Sequence, residues 1–233
     1  MDTGTDKNSR EFVVNLFNNI SPRYDIANTI LSFGIERLWR RKLLKYFSTG
    51  AGKILDVCCG TGTSSYRIHK KFPDSHIWGI DFSEKMLEAA VGKYGAISGM
   101  EFIRSDAAEL NFEDRFFDAV TISFGIRNII DRKAALKEFC RVTNKGGSLL
   151  ILEFGNIKSG IFSKLYNLYL KIIMPAIGGI ISGNKNAYRY LYDTIRQFPE
   201  PQELNNLIIT SGWQEVKTIP LLYGACNIYL AVK

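Results

Sequence analysis

The sequence predicts one α/β domain with a mostly parallel, seven-stranded sheet, a helical N-terminal segment and an antiparallel C-terminal strand. Three observations predict this fold. The N-terminal residues have a helical pattern, short apolar runs alternate with helical segments from residue 53, and two strand-like runs joined by a short link end the chain. Strands that alternate with helices pair in parallel through crossover connections. With 233 residues the chain can form one large core, but it is short for two domains.

The N-terminal segment, residues 1–50, is expected to be a helical lid. Apolar residues recur at helical spacing from Phe12 to Ile20. Pro22 ends this helix, because proline disfavours helical geometry in the residue before it. A second helical run is predicted from about Ile35 to Phe47.

Five apolar runs are predicted to form the parallel strands, with helices between most of them. The strands are Ile54–Val57, His76–Ile80, Met100–Ile103, Phe117–Ser123 and Ser148–Leu152, the last one after a turn at Asn144–Gly147. The helices lie at about 62–71, 83–94 and 132–142. Right-handed crossovers between such strands give an open, doubly wound sheet.

The C-terminal part has a different pattern. A helix is predicted near Pro201–Ser211, with the proline in its first turn. Strand-like runs follow at Val216–Ile219 and Ile228–Val232, linked through Tyr223 and Gly224. Because the link is short, we expect these two strands to pair antiparallel.

Residues 156–198 are predicted to be a helical insertion. Its apolar stretch, Ile161–Ile181, contains Lys164, Lys171 and Pro175, whereas a membrane-spanning helix needs about 20 clean apolar residues. We therefore expect this stretch to be buried on most sides or to lie on a membrane surface.

Charge and cysteine content narrow the function classes only in part. The formal net charge of +7 is compatible with nucleic acid, an anionic membrane or acidic ligands, and decides among none of them. The four cysteines form no C-x-x-C pair, so neither a zinc site nor a redox motif is predicted. The polar run Met1–Arg10 lacks the apolar core of a signal peptide, and with free thiols this favours a cytoplasmic location.

The segment Leu55-Asp-Val-Cys-Cys-Gly-Thr-Gly62 carries the most specific motif, at a strand end that opens a helix. Gly60 and Gly62 allow a tight turn and close approach of a ligand to the backbone. The dinucleotide fingerprint G-x-G-x-x-G/A requires Gly or Ala where this chain has Ser65. Asp56, four residues before Gly60, suits the cationic amino-acid end of S-adenosylmethionine (SAM) and suits a pyrophosphate poorly.

Two further acids follow the next two strands. Asp81 lies 19 residues after Gly62, where a carboxylate can accept both ribose hydroxyl protons. Asp106, followed by Ala107, can accept a hydrogen bond from the adenine amino group. Each acid alone could be a helix cap or a turn residue. Acids at three successive strand ends together favour a SAM site.

The chain resembles class I SAM-dependent methyltransferases, which have a Rossmann-like fold, from about residue 53 to 153. Over nearly its whole length it resembles the ubiquinone/menaquinone biosynthesis C-methyltransferases. The pairs and runs that carry this second resemblance are Tyr24-Asp25, Leu31–Gly34, Leu38-Trp39, Ser123–Asn128, Leu152-Glu153 and Tyr188–Leu191. The Cys58-Cys59 pair in the glycine motif is typical of the menaquinone branch.

The resemblance implies a set of SAM-binding residues. Gly60 and Gly62 would shape the loop, Asp56 would lie beside it, and the remaining contacts would be Thr61, Asp81, Phe82, Asp106, Ala107 and Ser123.

It also implies that the substrate is a prenylated quinol, methylated on a ring carbon. Arg127 is the candidate to stabilise the phenolate, or to act through a water as an indirect base. Asn128 could orient ring oxygens, and Tyr24 could close the site. The tyrosine-rich insertion would cover the prenyl tail, although core packing or a dimer surface is an equal interpretation. Homodimer formation and contact with the inner membrane face are further expectations, and no nucleic-acid partner or metal is expected.

One departure keeps other functions open. The family usually ends in a strand with a His-Arg-Gly-like run, where this chain has Tyr229, Leu230 and Ala231. The alternatives are a SAM-dependent methyltransferase with another acceptor and a SAM-binding protein without catalysis. An NAD-dependent oxidoreductase is disfavoured by Ser65 and Asp56, and a nucleic-acid methyltransferase by the lack of an Asn-Pro-Pro-Tyr-like motif.

Overall fold

The computed structural model describes residues 10–48, 50, 52–157 and 160–233. Its centre is a seven-stranded sheet with the order β3-β2-β1-β4-β5-β7-β6. The strands are β1 (Lys53–Val57), β2 (His76–Asp81), β3 (Met100–Arg104), β4 (Phe117–Ser123), β5 (Thr143–Phe154), β6 (Gln214–Leu221) and β7 (Cys226–Val232). β1 to β5 pair in parallel, and β7 is antiparallel to both β5 and β6. The predicted fold class is confirmed.

Ten α-helices surround the sheet within the described ranges. They are α1 (Arg10–Ile20), α2 (Tyr24–Leu31), α3 (Ile35–Leu43), α4 (Thr63–Lys71), α5 (Glu84–Tyr94), α6 (Arg132–Val142), α7 (Gly160–Leu168), α8 (Met174–Ser182), α9 (Lys185–Gln197) and α10 (Pro201–Thr210). A π-helical segment, Tyr169–Ile173, joins α7 to α8. Among the residues that the structure describes, no helix has the length and apolar character needed to cross a bilayer.

The register of the parallel strands determines where the site forms. Val57 at the end of β1 lies beside Ile80 of β2 and Ile122 of β4. The loops that follow these strands therefore emerge at one edge of the sheet. In open α/β sheets, ligands bind at this edge.

Three clusters of buried apolar residues hold the layers together. The first packs α6 and α10 on one face of the sheet and includes Phe139 and Trp213. The second packs α3 and α4 on the other face and includes Ile68. The third joins the N-terminal helices to the insertion and includes Leu16 and Ile195, both buried. The N-terminal segment and the insertion thus share one core above the edge where the parallel strands end.

Two elements differ from the sequence prediction. Pro22 ends α1 as predicted, but the chain continues through the short 3-10 turn Ser21–Arg23 into α2, which the prediction of two helical runs omitted. β5 begins at Thr143 rather than Ser148, because the predicted turn is a bulge within the strand. Thr143 pairs with Phe117 and Ser148 pairs with Ala119, so the intervening residues loop out.

Candidate active site

Two adjoining cavities lie at the edge where the parallel strands end. The first, of about 240 Å³, is bounded by the loops after β1, β2, β3 and β4 and by the N-terminal helices. The second, of about 220 Å³, lies between the N-terminal helices and the insertion. Phe17, Tyr24, Arg40 and Phe124 line both cavities, so the two spaces meet at these side chains.

The glycine loop after β1 forms the floor of the first cavity. Gly60 and Gly62 have φ angles of +57° and +78°, which glycine adopts without strain. A Cβ at Gly62 would lie 2.9 Å from the Phe102 ring, so the loop also needs glycine for space. Gly62 is the N-cap of α4, and Thr63 and Ser64 in the first turn of that helix line the cavity. The loop thus has the glycine geometry that a close approach of a ligand to the backbone would require.

Asp81 lies at the end of β2 and faces the first cavity. One carboxylate oxygen accepts from the Gly60 N–H at 2.9 Å and the other from the Ser83 N–H at 2.8 Å. Burial raises the pKa of Asp81 above its ordinary value, although the backbone hydrogen bonds to Ser83 and Gly60 work in the opposite direction. The two amides fix the carboxylate at the cavity, and its contact with the ribose stays a prediction.

The other predicted cofactor residues also lie around this cavity, with one exception. Asp106 accepts from the Ala108 N–H at 3.0 Å, which orients its carboxylate in the loop after β3. Asp106 and Ala107 line one end of the cavity, and Gly60 and Thr61 line the loop after β1. Phe82 and Ser123 also line the cavity.

Asp56 is the exception, because it lines neither cavity. It is 1% exposed, and its Oδ2 accepts from the Ser65 hydroxyl at 2.6 Å. Its Oδ1 has no hydrogen-bond partner among the described residues. Burial raises the pKa of Asp56 to about 6. The expected contact with the cofactor is therefore corrected: Asp56 lies behind the loop and supports α4 through Ser65.

Arg127 lines the second cavity and is held by Glu153 at the end of β5. Its Nη1 lies 2.7 Å from Glu153 Oε1 and 2.5 Å from the Phe124 carbonyl oxygen. Its Nε has no hydrogen-bond partner among the described residues. Burial has the largest single effect and favours the neutral guanidine, but the charge and hydrogen bond of Glu153 together with Tyr24 and Tyr190 raise the pKa of Arg127 above its ordinary value. The guanidinium therefore stays charged.

Tyr24 and Asn128, the other two predicted catalytic residues, occupy different places. Tyr24 lies at the junction of the two cavities, whereas Asn128 lines the first cavity. Burial raises the pKa of Tyr24, so its phenol is protonated near neutral pH. Asn128 Oδ1 is buried without a hydrogen-bond partner in the described part of the chain.

The N-terminal helices close over the first cavity through polar contacts that sequence reasoning did not assign. The Thr61 hydroxyl donates to Asp25 Oδ1 at 2.7 Å, and Lys93 Nζ lies 2.6 Å from Asp25 Oδ2. Arg40 on α3 donates to the Ser64 hydroxyl in the first turn of α4. Tyr24-Asp25 and Leu152-Glu153 were recognised as family pairs, but no local signal showed what Asp25 or Glu153 would contact.

Comparison with known proteins decides the family. The profile of the ubiE/COQ5 methyltransferase family matches residues 4–233. The chain belongs to this family. A ubiquinone/menaquinone biosynthesis C-methyltransferase of Bdellovibrio bacteriovorus is 40% identical over 223 residues, 94% of each chain. A demethylmenaquinone methyltransferase of Staphylococcus aureus is 37% identical over 229 residues, covering 97% of this chain and 95% of the relative.

Solved structures share the fold at low sequence identity. A SAM-dependent methyltransferase of Thermotoga maritima matches with a TM-score of 0.65 at 20% identity, and the match covers 94% of this chain and 99% of the Thermotoga chain. A phosphoethanolamine N-methyltransferase of Haemonchus contortus, solved with SAM, matches with a TM-score of 0.62 at 16% identity. That match covers 83% of this chain and 52% of the Haemonchus chain. Family membership and fold together confirm the predicted enzyme class and cofactor: the chain is a SAM-dependent methyltransferase.

Proposed function

We propose that this enzyme methylates a ring carbon of a prenylated quinol, either demethylmenaquinol or the ubiquinol precursor. One observation carries the proposal. Arg127 places a buried guanidinium in the wall of an aromatic and aliphatic cavity that adjoins the first cavity at Tyr24. A substrate with an apolar tail and an ionisable ring hydroxyl matches this combination.

The charge of Arg127 supports the chemistry on the substrate. Bound SAM supplies an electrophilic methyl group. A quinol ring carbon becomes nucleophilic when the neighbouring hydroxyl loses its proton, and a nearby cation lowers the pKa of that hydroxyl. Since its own pKa is raised, Arg127 is not the group that accepts the proton. A role through a bridging water remains a prediction.

Tyr24 and Asn128 are placed to orient the ring between the two cavities. The protonated phenol of Tyr24 can donate to a ring oxygen at the junction. The unpartnered Oδ1 of Asn128 can accept from a ring hydroxyl that reaches toward the first cavity. Positioning of this kind can supply much of the acceleration in methyl transfer, because the protein contributes no covalent step.

The second cavity fits the start of the prenyl tail. Its deeper wall is aliphatic, with Leu31, Leu170, Met174, Leu191 and Ile195 among the lining residues. Its mouth includes Phe33 and Leu222, which are 78% and 53% exposed. A tail too long for the cavity would leave the protein between these side chains.

The altered C-terminal run lies outside the lining of both cavities. Tyr229, Leu230 and Ala231 occupy the middle of β7 and line neither cavity. Tyr229 is 1% exposed and packs in the core beside α6 and α10. The departure from the family pattern therefore gives no support to a different acceptor.

The deciding experiment measures binding of S-adenosylhomocysteine by calorimetry and methyl transfer from labelled SAM to demethylmenaquinol. We expect both in the wild type. Arg127→Met should lower kcat at least a hundredfold with the S-adenosylhomocysteine Kd unchanged, and Lys137→Met, on the exposed side of α6, should behave as wild type. Binding without transfer to any prenylated quinol would overturn the proposed acceptor and leave the methyltransferase class intact.

We also propose that the mouth of the second cavity docks on the cytoplasmic face of an anionic bilayer. Ile26 and Ile30 on α2 and Phe33 just after it are exposed. Ile173, at the end of the π-helical segment, and Ile177 and Ile180 on α8 are also exposed, and α8 packs against α2. Aliphatic surface of this kind inserts among lipid headgroups.

The charges around these exposed residues favour anionic lipids. No Asp or Glu lies between Glu153 and Asp193, whereas Lys164 and Lys171 lie in the segment and are exposed. Arg37 and Arg41 on α3, which packs against α2, add exposed positive charge. Basic residues next to an apolar surface attract the negatively charged cytoplasmic leaflet.

Sedimentation with lipid vesicles tests the docking face. The wild type should sediment with vesicles that contain phosphatidylglycerol and less with pure phosphatidylcholine. Phe33→Ser with Ile180→Ser should lose binding, while Ile209→Ser, on the exposed side of α10, should retain it. Equal sedimentation of all three proteins would contradict the proposal. Dimerisation of the wild type that the double variant abolishes would assign the surface to a second copy, which is the predicted homodimer.

A further inference from the structure

The amino-acid end of SAM carries an ammonium group and a carboxylate, and the sheet supplies neither partner. Asp81 and Asp106 are placed for the ribose and the adenine, and Asp56 lies behind the glycine loop. Among the described residues that line the first cavity, only Arg40 is a lysine or arginine. Asp25 is the acid beside Thr61, at the loop after β1. Both Asp25 and Arg40 belong to the N-terminal helices.

We propose that the N-terminal helices recognise the amino-acid end of the cofactor, with Asp25 accepting from the ammonium group and Arg40 binding the carboxylate. The inference depends on SAM as the cofactor, which family membership provides, and not on the quinol acceptor.

The direction of the cofactor follows from the order of the strand-end loops. Asp106 and Ala107 follow β3, Asp81 follows β2, and Gly60 and Thr61 follow β1. If the adenine and ribose lie at the first two loops, the methionine part reaches the third. Asp25 is already there, since its Oδ1 is 2.7 Å from the Thr61 hydroxyl oxygen.

Asp25 has the capacity to take the ammonium group. A carboxylate offers about four lone-pair sites. Thr61 and Lys93 occupy one on each oxygen, and a longer contact joins Oδ1 to the Thr63 hydroxyl at 3.4 Å. Its side chain is 38% exposed, so a ligand in the cavity can reach the carboxylate.

Arg40 is held in position by neighbours on two sides. Its Nε donates to Glu36 Oε2 at 3.0 Å, and its Nη1 donates to the Ser64 hydroxyl. Ser64 is in the first turn of α4, where the helix N-terminus also favours negative charge. A carboxylate near Ser64 would meet the guanidinium and the helix terminus together.

The arrangement couples cofactor binding to closure of the lid. Both ligand groups would be clamped by α2 and α3, whereas the ribose and adenine contacts come from the sheet. A ligand without the amino-acid part should therefore bind without engaging the lid.

Calorimetry with matched ligands tests the assignment. S-adenosylhomocysteine carries both charged groups, and 5′-methylthioadenosine carries neither. We expect Asp25→Asn and Arg40→Met each to weaken S-adenosylhomocysteine binding on the order of ten- to a hundredfold, as for a lost charged hydrogen bond. Neither variant should change the Kd of 5′-methylthioadenosine by more than about twofold. The decarboxylated analogue of S-adenosylhomocysteine should be sensitive to Asp25→Asn and insensitive to Arg40→Met.

Lys93→Met is the control for loosening of the lid. It removes the ion pair to Asp25, and Lys93 does not line the cavity, so both ligands should keep their affinity. Equal losses for both ligands in the Asp25 and Arg40 variants would assign the two residues to lid packing and overturn the proposal. Unchanged affinity for S-adenosylhomocysteine in either variant would overturn it for that residue.

Discussion

Arg127 and Glu153 form an ion pair of 2.7 Å between Nη1 and Oε1, with side chains that are 5% and 0% exposed. Glu153 also accepts from the backbone N–H of Arg127 at 3.2 Å and from its neighbour Phe154 at 2.9 Å. One carboxylate at the end of β5 therefore holds both the backbone and the side chain of Arg127. This arrangement fixes the guanidinium in the wall of the second cavity.

Replacing Glu153 by Gln should destabilise the protein strongly. Breaking a buried pair leaves an uncompensated charge, which typically costs about 3–5 kcal/mol. Adding Arg127→Met to Glu153→Gln removes that charge and should recover part of the loss. Urea denaturation of both variants measures the two free energies of unfolding. A double variant as unstable as the single variant, or more so, would contradict the assigned role of the pair.

Replacing Tyr24 by Phe should reduce turnover without weakening cofactor binding. The variant keeps the ring that packs against Phe17, at 6.0 Å between centroids, and removes only the hydroxyl. Loss of a positioned donor should lower kcat on the order of tenfold to a hundredfold. Tyr46→Phe, at a half-exposed ring in the 3-10 turn after α3, is the matched control. Unchanged kcat in Tyr24→Phe would remove Tyr24 from the catalytic set.

The sheet was predictable because its signals are local. β4 has the predicted bounds, since Phe117–Ser123 is rich in apolar and β-branched residues and follows the polar stretch Glu113–Arg115. The start of β5 was predicted at Ser148 instead of Thr143, because the turn signal at Asn144–Gly147 is equally compatible with a bulge inside a strand. α2 was missed because Pro22 signals a helix end but not that a new helix follows within a few residues.

The site was predictable only in part, for a related reason. Acids after successive parallel strands meet at one edge, so Asp81 and Asp106 follow from topology. The contacts of Asp25 with Thr61 and of Glu153 with Arg127 join residues 36 and 26 positions apart. Asp56 shows the opposite case: its position in the motif suggested a ligand contact, but a strand residue that points away from the edge is buried instead.

Asp56 should make stability fall as the pH rises through the acid range. Its pKa is about 6 in the folded protein against an ordinary 3.8, so the folded state keeps the proton that the unfolded chain loses first. Stability from this group is therefore complete below about pH 4 and is lost as the pH rises to about 6. The shift corresponds to about 2–3 kcal/mol.

Urea denaturation from pH 4 to 8 measures the contribution of the Asp56 carboxyl as the difference in free energy of unfolding between wild type and Asp56→Asn. The variant should gain stability relative to wild type across that range and level off above about pH 6. Asp74→Asn, at an exposed carboxyl, is the control and should give a curve parallel to wild type. Parallel curves for Asp56→Asn as well would show that the carboxyl is ionised in the folded protein throughout.

Gly62 should tolerate no side chain, in contrast to Gly92. At Gly62 a methyl group would lie 2.9 Å from Phe102 Cζ, 3.0 Å from Tyr94 Cδ2 and 3.1 Å from Ala90 Cβ, and the φ of +78° is strained for alanine. We expect Gly62→Ala to lose about 1–3 kcal/mol of stability and to weaken S-adenosylhomocysteine binding at least tenfold. Thermal unfolding and calorimetry on the same preparation measure both effects.

Gly92→Ala separates the geometry of the loop from glycine replacement in general. Gly92 lies on the exposed side of α5, and an added methyl group there has no heavy atom within 4 Å. Alanine in a helix is favoured over glycine by about 0.5–1 kcal/mol, so this variant should be more stable than wild type with unchanged cofactor affinity. If Gly62→Ala also bound S-adenosylhomocysteine normally, the ligand would not approach the loop backbone closely. The assignment of the glycine loop as the floor of the cofactor site would then be wrong.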